Sequence, residues 1–201
     1  MRLKKTFWKP LVLGVALGSL AGIATVTGLS FLAPGINTEN AIGFYMTLLL
    51  LAAALGGPPA GVTAAILLIA ISAIWGPPDM KEVLSDPVVF WTNLPVVGML
   101  MVLVGLAYRV IFERLKMPVR LFLWAGIVIV VYLINSPANL VLQYYLHGEV
   151  GVLPAILSVY RIYTPQAIFD IFFTCLVFVA LPKRYLKPLW YEPKTTPVQY
   201  R

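Results

Sequence analysis

Charge is scarce in this sequence. Of its 201 residues only 11% are Asp, Glu, Lys or Arg, less than half the share usual in soluble domains. There is one cysteine, Cys175, and one histidine, His147. A single Cys excludes a disulfide framework and a cysteine-ligated metal site. A single His leaves little for metal chemistry. The motifs of intramembrane and soluble catalysis are also missing: there is no Gly-x-Ser-x-Gly elbow, no Ser/His dyad, no His-Glu-x-x-His and no Walker A loop. Paired aspartates are excluded because Asp170 is the only acid inside an apolar run. No ring of charges suggests a channel filter, and no inverted repeat suggests a secondary carrier. The chain is read as a non-enzyme that needs no cofactor or metal.

What the sequence does have is apolar surface. Hydrophobic residues make up 60% of it, and the mean hydropathy is +0.89. A soluble fold of this length has too little interior to hide that much. The net charge of +7 therefore reports membrane orientation and gives no sign of nucleic acid. The expected partner is the lipid bilayer, in a plasma or inner membrane.

A spanning helix needs about 20 apolar residues. Six runs qualify, at about 11–33, 38–56, 59–76, 88–110, 120–145 and 164–182. The expected fold is all-α: one six-helix transmembrane domain over 1–201, with a short cytoplasmic tail at 183–201. Prolines near the proposed ends, among them Pro10, Pro58, Pro59, Pro87, Pro118, Pro165 and Pro182, mark the boundaries. Gly56-Gly57-Pro58-Pro59 joins spans two and three as a tight hairpin. The five Trp fall near proposed ends, as interfacial aromatics do. Residues 151–160 are too short to span, and an interfacial or re-entrant position is expected for them. The first run is longer than a signal-peptide core and is read as a retained helix.

Charge tests this arrangement. With both termini inside, Arg2, Lys4, Lys5, Lys9, Arg109, Arg114, Lys116, Arg120, Lys183, Arg184, Lys187, Lys194 and Arg201 are cytoplasmic, 13 of the 15 basic residues. Only Lys81 and Arg161 fall outside, which is the positive-inside pattern.

Small residues form one candidate face. Gly14, Gly18 and Gly22 recur every four residues on span one. Such a stripe lets helices approach closely in lipid. It serves either packing within the bundle or docking of a partner membrane protein.

Polar residues form the other. Trp91 and Asn93 lie in the outer half of span four. Asn135, Asn139 and Gln143 share one face of span five, followed by Tyr144. Gln166 and Asp170 open span six, and Arg161 stands before it. Pro95 and Pro137 free carbonyls within spans four and five, and broken backbone at membrane depth usually lines a cavity or is buried in protein. Three helices thus bring polar groups to the same leaflet, as an outward-facing small-molecule pocket requires. Plain helix–helix hydrogen bonding, and an Asp170–Arg161 pair, are the structural alternatives.

Six helices, cytoplasmic ends, the stripe Gly14, Gly18, Gly22, the hairpin Leu55-Gly56-Gly57-Pro58-Pro59-Ala60-Gly61 and the last helix opened by Pro165-Gln166-Ala167-Ile168-Phe169-Asp170 and closed by Leu181-Pro182-Lys183-Arg184 resemble the substrate-binding S-components of energy-coupling factor transporters. That family docks through an alanine-rich motif, and glycine stands in its place here. The resemblance implies uptake of a vitamin-like molecule, with a coupling transmembrane subunit and two ATPases as partners. The region 37–76 is also similar to the sensory membrane domains of LytS-type histidine kinases. That likeness implies a ligand sensor acting through a separate partner, and Glu39-Asn40 stands where those domains carry arginine. A small accessory subunit of a larger membrane complex is the third reading.

Overall fold

The computed structural model describes residues 8–27, 30–31, 42–76, 84–147 and 152–190. Its helices are α1 (Trp8–Val26), α2 (Phe44–Trp75), α3 (Pro87–Arg114), α4 (Met117–His147), α5 (Val152–Ala180) and the single turn α6 (Lys183–Leu186). Two short strands, β1 (Ser30–Phe31) and β2 (Ile42–Gly43), pair antiparallel. Helices α1 to α5 are each long and apolar enough to cross a membrane. The protein is a multi-span helical membrane protein.

Three boundaries differ from the sequence expectation. The run 11–33 is not one helix: α1 stops at Val26, and Ser30–Phe31 is strand. In its last turn the Thr25 and Thr27 hydroxyls donate back to the Ala21 and Ile23 carbonyls, at 3.0 and 2.7 Å. The expected start of span two at 38–41 lies outside the described residues, and helix begins at Phe44. Of the segment 151–160, the described residues from Val152 on are the first part of α5, which runs on through Pro165. A proline removes one i→i−4 bond, and helix continues on either side of that loss.

The hairpin between spans two and three is present inside α2. Gly57, with φ 74° and ψ −169°, is the one non-helical residue of that element. Eight residues of straight helix would separate Ala53 from Gly61 by about 12 Å. Instead, a Cβ on Gly61 would lie 2.8 Å from that of Ala53. The arms 44–56 and 58–75 therefore fold back on one another. Only glycine takes this left-handed backbone without cost.

α1 runs alongside the second arm. A Cβ on Gly14 would meet the Ala60 carbonyl oxygen at 2.6 Å, one on Gly18 the Ala64 Cα at 2.6 Å, and one on Gly22 the Ile71 side chain at 2.7 Å. Both sets of numbers rise together, so the two helices are parallel. Lipid provides no hydrophobic drive for association, so this backbone-to-backbone fit is what holds them. On the far side, Gly105 of α3 admits Pro58 in the same way. α2 thus packs against α1, α3 and α5, and α4 closes the bundle between α3 and α5.

The buried core is apolar and aromatic: Leu49, Leu50, Met101, Val104, Tyr108, Trp124, Val128 and Phe178. Trp124, in the first third of α4, is fully buried. Its ring packs edge-on against Tyr108 and Phe178, and its N–H donates to Thr174 Oγ1 at 2.7 Å. A buried indole N–H needs such a partner.

The chain after α5 closes the hairpin tip. Pro59 has no N–H for the Leu55 carbonyl, and Leu189 N–H donates to it instead at 2.8 Å. Tyr108 OH donates to the Leu186 carbonyl at 3.0 Å. The Arg109 guanidinium lies 5.3 Å from the centre of the Trp190 ring. Nearby, Arg120 caps α3, donating to the Phe112 and Leu115 carbonyls at 3.0 and 2.8 Å. Lys9, Arg109, Arg114, Lys116, Arg120, Lys183, Arg184 and Lys187 belong to helix ends at this pole of the bundle, whereas Arg161 falls within α5.

Candidate functional site

The polar groups gather at the opposite pole, around Asp170. This side chain is fully buried on α5, about 10 Å along the apolar stretch that begins at Tyr163. Its carboxylate accepts from the Thr47 hydroxyl of α2 at one oxygen. At the other it accepts from the Tyr132 hydroxyl of α4 and from Gln166 Nε2, the latter at 3.1 Å. The partners are uncharged and come from three helices.

Gln166 extends the network to the backbone. Its Oε1 accepts from Gly43 N–H and its Nε2 donates to the Gly43 carbonyl, both at 2.8 Å. It thereby ties β2, at the entry of α2, to α5. One turn deeper, Thr174 Oγ1 donates to the Asp170 carbonyl at 2.5 Å and accepts from Trp124. The helix period places Gln166, Asp170 and Thr174 on one face, and every member of that face has a partner. At the entry of α2, Phe44 packs edge-to-face against Phe169 and Phe173 with centroids 5.0 Å apart, and the latter two rings lie tilted at 41° with centroids 4.4 Å apart.

A second polar pair lies on α4. Asn139 Nδ2 donates to Asn135 Oδ1 at 3.2 Å. Asn139 is 8% exposed, and its own Oδ1 is buried without a hydrogen-bond partner. Between the two, Pro137 frees the Leu133 carbonyl, and Tyr160 OH of α5 donates to it at 3.0 Å. The backbone break is satisfied by protein, whereas the Asn139 amide oxygen is not. A buried acceptor left in this state costs about 1–3 kcal/mol.

The expected site residues divide accordingly. Gln166 and Asp170 come together, and Asn135 pairs with Asn139. Trp91 is 65% exposed and points away from the bundle, its ring edge-on to Phe90. Asn93 turns back on its own helix, donating to the Val89 carbonyl at 2.8 Å. α3 therefore contributes neither to the cluster. The side chains of Gln143, Tyr144 and Arg161 lie outside those the structure describes. Gly14, Gly18 and Gly22 are buried against α2, so the stripe presents no free face for docking a partner. The sequence reading missed Thr47, Tyr132 and Gly43. Thr47 stands alone among Tyr45, Met46, Leu48 and Leu49, and Tyr132 among Val131 and Leu133. A lone hydroxyl in such a run is the signal that could have found them.

A groove of about 460 Å³ lies at the other pole, lined by Trp8, Lys9, Val12, Leu13, Ala16 and Leu189. It is far from these polar groups. No protein-family model, no curated protein and no solved structure matches the chain.

Proposed function

We propose that this chain is the substrate-binding membrane subunit of an uptake transporter, taking a small polar molecule from the outer leaflet between α4 and α5. The supporting observation is the buried, unpartnered Oδ1 of Asn139 beside the Pro137 break. An acceptor of this kind suits a ligand N–H or O–H, which would recover the desolvation cost. The topology of the proposal counts α2 as two crossings, giving six, with the basic pole and both termini in the cytoplasm. Energy for uptake comes from partner ATPases through a coupling subunit, since no nucleotide-binding motif is present in the sequence.

The experiment is mild solubilisation from the native membrane followed by identification of bound proteins. Two ATPases with a shared membrane subunit support the transport reading. A complex without ATPases supports a second reading, a structural accessory subunit. That reading is favoured by the Asp170 network, whose groups are all satisfied within the chain.

A further inference from the structure

The groove at the basic pole lies apart from both polar clusters, and the proposed function makes no use of it. Five of its lining residues come from α1. Trp8, Val12 and Ala16 are spaced by four, as are Lys9 and Leu13, so they share one face of the helix. From Trp8 to Ala16 that face is about 12 Å long. It starts where the span starts and runs into the apolar layer. The remaining wall is Leu189. The Leu189 N–H donates to the Leu55 carbonyl at 2.8 Å, which fixes this wall to the hairpin tip. Leu13 packs at the same tip, where a Cβ on Gly56 would lie 3.2 Å from its Cδ2. The groove is thus a formed feature of the fold.

Two observations say what fills it. The first is the chemistry of the walls. They are apolar, and Lys9 lends them only its methylene stem. A hydrogen-bonding group placed there would go unpaired, whereas an acyl chain has none to pair. The second is charge. Lys9 is exposed at the surface end of the stripe and makes no ion pair with a described residue. The ion pair at this pole joins Arg109 to Glu113 at 3.4 Å. In the sequence ahead of α1 stand Arg2, Lys4 and Lys5, with no acid among them. Clustered basic residues at the end of a span attract anionic lipid headgroups.

We propose that this groove binds one anionic glycerophospholipid, with an acyl chain along α1 beside Leu189 and its phosphate at Lys9. The site does not depend on a ligand at Asn139. The test is native mass spectrometry of the purified full-length protein in detergent, supplied with phosphatidylglycerol or with phosphatidylcholine of the same chains. One phosphatidylglycerol per protein is expected to survive collisional stripping that removes phosphatidylcholine. Lys9→Gln should lower that retention by about fivefold or more, the effect of one basic residue near a headgroup. Lys116→Gln, which removes the same charge at the turn between α3 and α4, should leave it unchanged. Ala16→Phe, which fills the groove from an exposed position, should abolish it. Val12→Phe serves the same purpose if that variant folds poorly. Equal retention of the two lipids would overturn the proposal. So would equal losses in Lys9→Gln and Lys116→Gln, which mean a diffuse attraction to the whole pole. A photo-cross-linking residue at Val12 that captures polypeptide instead of lipid in the native membrane also overturns it.

Discussion

The Trp190 indole fills the place where a side chain on Gly57 would stand: a Cβ built there would lie 1.7 Å from the indole Cδ1. Gly57 is constrained twice, by its left-handed backbone and by this ring. Gly57→Ala is expected to cost about 1–3 kcal/mol for the backbone and about 1–3 kcal/mol for the overpacking. In a Trp190→Ala background the second cost disappears. A double-mutant cycle on denaturation midpoints checks this, and a coupling energy near zero would show that the ring does not bear on Gly57.

The glycine stripe gives a contrast within one experiment. Gly18→Ala places its methyl 2.6 Å from the Ala64 Cα, which is backbone and cannot move aside. A loss of about 1–3 kcal/mol is expected. Gly126→Ala on α4 meets nothing within 4 Å and should raise stability by about 0.5–1 kcal/mol, the gain in helix propensity. Thermal melts in one detergent compare the two, and equal effects would mean that the stripe does not hold α1 to α2.

Topology is tested by labelling. In a Cys175→Ser background, Trp75→Cys and Tyr145→Cys, at side chains 61% and 81% exposed, should react with a membrane-impermeant thiol reagent on intact cells. Lys183→Cys should react only after permeabilisation. If α2 crossed once instead of twice, Trp75→Cys and Lys9→Cys would lie on the same side of the membrane.

Much of this architecture was legible in the residues. The hairpin follows from Gly56-Gly57-Pro58-Pro59, and the close helix contact from Gly14, Gly18 and Gly22. Both are local chemistry: a backbone only glycine adopts, and a surface with no side chains. Other features depend on partners distant in sequence. Pro165 reads as a helix boundary, yet helix continues on both sides of it. The buried Trp124 relies on Thr174, 50 residues on, to accept from its N–H. Asp170 was visible as the lone acid in a span, whereas Thr47, 123 residues away, was just another residue of an apolar run. The polar residues of α3 looked like part of the cluster because depth was inferred and rotation was not. Trp91 is exposed and Asn93 turns back to the Val89 carbonyl.

The central claim is that a small molecule binds at Asn139, and native mass spectrometry of the full-length protein released from its own membranes tests it most directly. The account predicts an adduct of constant mass on the parent protein, lost in Asn139→Leu and kept in Trp91→Ala. A parent spectrum with no adduct beyond lipid and detergent, or an adduct that persists in Asn139→Leu, would contradict it.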